Sequence, residues 1–164
     1  MKATQLLHNE GQSLWLDNIT RDLLDSGTLN RYIDELSVTG LTSNPTIFDH
    51  AIKNSPTYDS AIARKMKQGL SGEALFFDLA IEDLTRAADL FRPIHEKTNR
   101  VDGWVSLEVS PLLAYDAADT LAAAKELFAR ANNSLAAARV LAVSYASNGE
   151  TSSETHPSTP FVFS

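Results

Sequence analysis

Short apolar runs alternate along this chain with longer stretches whose apolar residues recur every three or four positions. Residues 13–19 (SLWLDNI) are apolar, brief and bounded by polar residues, which predicts a strand. Helical character follows. From Thr28, a suitable N-cap, Leu29, Tyr32, Ile33 and Leu36 fall at i, i+3, i+4 and i+7 and make one apolar stripe. Residues 38–43 (VTGLTS) set β-branched residues around a glycine, a second strand, and run into Asn44 and Pro45. The proline restricts Asn44 to extended geometry and ends the strand. Thr46 is placed to cap the next helix. Further helices are expected at 58–68 and at 72–92. The latter has Phe76, Leu79, Ala80, Ala87 and Phe91 as its buried stripe and Pro93 as its stop. Residues 104–109 (WVSLEV) form a third strand, closed by Ser110 and Pro111. Leu121, Ala124, Leu127, Phe128 and Ala131 mark the buried face of the helix after it.

The order β-α-β-α-β-α, with helices long enough to cross back over a sheet, implies parallel pairing. Either a doubly wound sheet or a (β/α)8 barrel satisfies it. Beyond Asn133 the pattern changes. Residues 134–146 read as an alanine-rich extension of the last helix, and the Ser/Thr-rich stretch after them has no apolar period and is expected to be disordered. The chain thus divides into a β/α part, 1–133, and a divergent segment, 134–164.

Alternate residues of a strand share a face, so parity can be read from each strand. Trp15 and Asp17 share one; Gly40, Thr42 and Asn44 share one; Ser106 and Glu108 share one, opposite Val105, Leu107 and Val109. A barrel strand turns one face to helices and the other inward, with reactive groups near the carboxyl ends. Asp17, Asn44 and Glu108 all sit late in their strands on the less apolar parity, which predicts that they converge. Two carboxylates and an amide suit proton transfer and hydroxyl recognition, but they do not choose between a sugar isomerase, an aldolase and a hydrolase.

Composition narrows the partners. With 164 residues, 43% hydrophobic and 21% charged, the chain can bury a sizeable core. A net charge of −7 without a Lys/Arg run argues against nucleic acid and against an anionic membrane, and favours small molecules. The absence of cysteine removes thiolate chemistry and Cys-ligated zinc. His8, His50, His95 and His156 show no metal-ligand spacing, and no glycine-rich phosphate loop is present, so neither a metal nor a nucleotide cofactor is expected. The first residues lack a signal-peptide apolar core, and no run reaches about 18 apolar residues. A cytoplasmic location is expected, which makes the Asn18-Ile19-Thr20 glycosylation pattern a chance match.

The residues themselves resemble a family. Gly40 to Phe48 (GLTSNPTIF) is similar to the second-strand signature of the transaldolases, with Leu41 where a smaller or β-branched residue is more common. The LWLDN segment resembles the family's first strand with its catalytic Asp, and Val105 to Val109 (VSLEV) its third with the catalytic Glu. Ser110 stands where the family often has Asp. The resemblance covers residues 12–132 and implies a partial (β/α)8 barrel of class I aldolase type. It implies cofactor-free transfer of a dihydroxyacetone unit between sugar phosphates, with a homo-oligomer as one form. By the same resemblance, Asp17 is the acid/base at the substrate hydroxyl. Glu108 acts through the catalytic water, and Asn44 with Thr42 binds the ketose.

One departure bears on activity. The family's fourth strand carries the lysine that attacks the ketose carbonyl, and this chain has no lysine after Lys125. Ungapped counting puts Arg139 near that place, and a guanidinium has no free lone pair with which to attack. Lys53, Lys65, Lys67, Lys97 and Lys125 fall on expected helices or loops. The chain is therefore expected to be a transaldolase relative, truncated or frame-altered after about Asn133 and without its chemistry. The alternative is a non-catalytic half-barrel that serves binding or assembly.

Overall fold

In the computed structural model, residues 2–43, 45–113, 115–134, 140–144 and 161–162 are described. Strand β1 (Leu14–Leu16) is followed by helices α2 (Arg21–Asp25) and α3 (Thr28–Leu36), and β2 (Val38–Thr42) by α4 (Pro45–Asn54), α5 (Asp59–Lys67) and α6 (Gly72–Lys97). Then come β3 (Trp104–Glu108), α7 (Ala117–Ser134), β4 (Val140–Ser144) and β5 (Phe161–Val162), with a short α1 (Ala3–Asn9) at the start. The sheet order is β1-β2-β3-β4-β5, parallel through β4 and antiparallel at β5. A doubly wound sheet reverses direction at a switch point. Four parallel strands in strict sequence order have none, which is the progression of a barrel, and the chain forms part of a (β/α)8 barrel.

The core lies between the outer face of the sheet and the helices. Leu41, Val105 and Leu107 are buried against Leu79, Leu84, Ala87 and Phe91 of α6, and Leu127 and Ala131 of α7 join the same cluster. Phe48, Phe76 and Tyr58 add edge-to-face ring pairs at centroid distances of 5.5 and 5.9 Å. Under this layer Asp83, fully buried, accepts from Arg21 Nε at 2.9 Å and from the Tyr58 hydroxyl at 2.9 Å, while Tyr58 in turn accepts from the Arg21 backbone N–H at 2.7 Å.

Several expectations are corrected. Residues 140–144 form a parallel strand on β3, not an extension of α7: the edge of β3 offers unpaired backbone groups, and pairing with them outweighs alanine's helix preference. Pro93 lies inside α6, which continues to Lys97. The half-buried Ile94 packs on the core and its carbonyl accepts from the Thr98 N–H, so burial and a closing bond carry the helix past the missing donor. Helix α4 starts at Pro45 rather than beyond a Thr46 cap, in keeping with proline's fixed φ in a first turn. Leu121 is exposed, Phe76 is half-buried beside a buried Phe77, and β1 is three residues long. The polar stretch 145–160 lies outside the described residues.

Candidate active site

The pairing of β1 with β2 decides which side chains meet. Leu14 pairs with Val38, but Trp15 pairs with Gly40 and Leu16 with Leu41, so Thr39 is an extra residue at a bulge. The Thr39 hydroxyl donates to the Leu14 carbonyl at 3.4 Å, and its own carbonyl accepts from the Gly103 N–H at 2.7 Å. Beyond the bulge Asp17 is brought level with Thr42. A Cβ on Gly40 would stand 2.8 Å from the Trp15 ring and 2.9 Å from the Trp104 carbonyl oxygen, so the indole lies directly across that glycine.

Asp17 follows β1 and is exposed, whereas Thr42 and Glu108 are the half-buried last residues of β2 and β3. The Thr42 hydroxyl donates to Asp17 Oδ1 at 2.6 Å, a length typical of an O–H···carboxylate bond. The Glu108 carboxyl is held above the ordinary glutamate range, chiefly by burial and then by the negative charge of Asp17. Three of the four residues singled out in the sequence are thus assembled at the carboxyl ends of adjacent strands. Asn44 lies outside the described residues, as does Arg139. A carboxyl with raised affinity for a proton beside an exposed carboxylate is a pair suited to acid and base roles.

Five of the six lysines lie in helices and the sixth stands just before one. Lys2 precedes α1, Lys53 is in α4, Lys65 and Lys67 are in α5, Lys97 is in α6 and Lys125 is in α7. Lys65 is nearly buried and engaged by Asp78 and Glu82. Strand β4, beside Glu108, consists of Val140, Leu141, Ala142, Val143 and Ser144, with Val143 in register with Glu108. A cavity of about 490 Å3 opens between the first turns of α4 and α6, beside the residues that follow β3, and is lined by Pro45, Phe76, Phe77, Val109 and Ser110 among others. Asp17, Thr42 and Glu108 do not line it. Among the described residues, no group of three or more His, Asp or Glu could hold a metal ion, and no helix is long and apolar enough to cross a membrane.

Comparison with known proteins covers most of the chain. Residues 14–141 match the family model described as Transaldolase/Fructose-6-phosphate aldolase. A transaldolase of Thiobacillus denitrificans is 44% identical over 128 residues, covering 78% of this chain and 36% of that protein. Transaldolases of Arthrobacter sp. and of Nostoc punctiforme are 43% and 40% identical, covering 79% and 72% of the chain but 35% and 31% of their own lengths. The chain spans about a third of the length of these curated relatives. With the barrel progression of its strands and a family match over most of its residues, the chain belongs to the transaldolase/fructose-6-phosphate aldolase family.

Proposed function

We propose that this chain carries the acid–base half of a transaldolase site. The reaction is transfer of a dihydroxyacetone unit from sedoheptulose 7-phosphate to glyceraldehyde 3-phosphate, giving erythrose 4-phosphate and fructose 6-phosphate. It belongs to the pentose phosphate pathway of the cytoplasm and needs no cofactor. The observation that carries this reading is the grouping of Asp17, Thr42 and Glu108 on adjacent strand ends, with the 2.6 Å Thr42–Asp17 bond and the influence of Asp17 on Glu108. Asp17, exposed at the rim, exchanges a proton with the substrate hydroxyl next to the carbon–carbon bond that breaks. Glu108, protonated to higher pH than an ordinary glutamate, passes a proton to and from a water. Thr42 and Asn44 meet the hydroxyls of the ketose.

The third requirement of the reaction is an amine that forms a Schiff base with the ketose, and β4 contains no lysine. On this reading the chain alone binds sugar phosphate without turning it over. That same observation favours a second reading, a non-catalytic half-barrel for binding or assembly, including association with its own copies. Neither nucleic acid nor membrane is a partner in either reading.

Titration of isotope-labelled chain with fructose 6-phosphate separates the two. Amide shifts centred on residues 17, 42 and 108 and weakened by Glu108→Gln support the sugar-phosphate site. Shifts confined to the cavity around Phe76, or none at saturating sugar, refute it.

A further inference from the structure

We propose that Thr42 is a positioning residue, whose hydroxyl fixes the orientation of the Asp17 carboxylate across the junction of β1 and β2. The inference rests on the acid–base reading of Asp17 and adds to it, since a residue that meets the ketose would not thereby have to hold a carboxylate. Three features of the structure support it.

The first is chemical. A threonine hydroxyl has one proton, and here it is donated to Asp17 Oδ1 at 2.6 Å. Toward a ligand Thr42 then has only lone pairs to offer, so it accepts from a substrate hydroxyl and cannot donate to a carbonyl or phosphate oxygen. The second is mechanical. Asp17 is exposed, lies beyond the last paired residue of β1 and has two rotatable side-chain bonds, whereas the β-branched Thr42 closes a strand paired on both sides and has a stiff χ1. Orientation therefore passes from threonine to aspartate. The third is the bulge at Thr39. Without that extra residue Asp17 would stand level with Leu41, whose side chain faces the helices, and no donor would be presented to it.

The consequence reaches Glu108. With Asp17 held in one orientation, its charge acts on Glu108 from a fixed place. Once released, the exposed carboxylate spreads over other rotamers and its influence declines.

The test uses the full chain with Thr42→Val, Thr42→Ser and Asp17→Asn, read by two NMR measurements. The Hα–Hβ couplings of Asp17 report its χ1 populations, and the side-chain carboxyl shift of Glu108 reports its titration. Thr42→Val, nearly isosteric, should convert Asp17 from one dominant rotamer to averaging and lower the Glu108 midpoint part of the way that Asp17→Asn lowers it. Thr42→Ser should restore both. A single Asp17 rotamer preserved in a natively dispersed Thr42→Val chain overturns the inference, as does failure of serine to rescue. Should Asp17→Asn leave Glu108 unmoved, the coupled acid–base pair is refuted instead, and the Asp17 couplings still decide the role of Thr42.

Discussion

Replacing Asp83 by alanine should be among the most damaging single changes in the chain. Asp83 is fully buried and ties three elements together: Arg21 at the start of α2 donates to it through Nε at 2.9 Å and stands at 2.8 Å through Nη2, and Tyr58 donates at 2.9 Å. The Arg21 side chain is 9% exposed and its guanidinium lies 4.7 Å from the centre of the Tyr58 ring. Without the carboxylate that cation keeps Glu82 at 3.4 Å, a longer contact to a partly solvated group. Tyr58, whose hydroxyl is pushed well above its usual range by burial and by the Asp83 charge, loses its acceptor. Breaking a buried pair from one side costs about 3–5 kcal/mol, out of a total of about 5–15 kcal/mol for a domain. With a urea dependence of about 2 kcal/mol per molar, the midpoint should fall by about 2 M. Equilibrium unfolding followed by circular dichroism measures this. The exposed pair of Lys53 with Asp49 is an internal control, since Lys53→Ala should cost less than about 0.5 kcal/mol. A midpoint for Asp83→Ala within about 0.5 M of the unsubstituted chain, at unchanged slope, would refute the reasoning.

Two further predictions concern the inner face. Gly40→Ala places a methyl 2.8 Å from the Trp15 ring and 2.9 Å from a backbone oxygen, so it should destabilise by about 1–3 kcal/mol and shift Trp15 fluorescence; a variant with native emission and stability would contradict the contact. Glu108 has a raised proton affinity in the folded chain, so its contribution is most favourable below the ordinary glutamate range and is lost as pH rises through its raised midpoint. Glu108→Gln should therefore stabilise at neutral pH, by less than about 1 kcal/mol because the carboxyl is partly solvated. The gain should vanish in acid, and an equal gain at pH 3 and pH 8 would contradict the assigned cause.

Much of this was legible in the sequence because three local signals agree. Proline and glycine punctuate the strand ends, the helices carry 3.6-residue stripes, and strand parity puts Asp17, Thr42 and Glu108 on one face. Parity could not foresee the bulge at Thr39, which depends on pairing between strands rather than on either strand alone. Strand β4 was hidden for a similar reason: alanine-rich sequence favours helix, and only the free edge of β3 makes the strand worthwhile. Pro93 reads locally as a stop, and the burial of Ile94 that carries α6 past it is a tertiary feature that the proline itself does not reveal. The Arg21–Tyr58–Asp83 cluster joins residues up to 62 positions apart, and none carries a local signal of burial.

The central claim is that the chain assembles the carboxylates of a transaldolase site without an amine to go with them. Borohydride reduction of the folded chain with fructose 6-phosphate, read by intact mass and peptide mapping, tests it most directly, because reduction fixes any Schiff base as a stable adduct. The account predicts no added sugar mass. An adduct mapped to a single lysine, and lost when that lysine is replaced by arginine, would contradict it and give the chain its nucleophile.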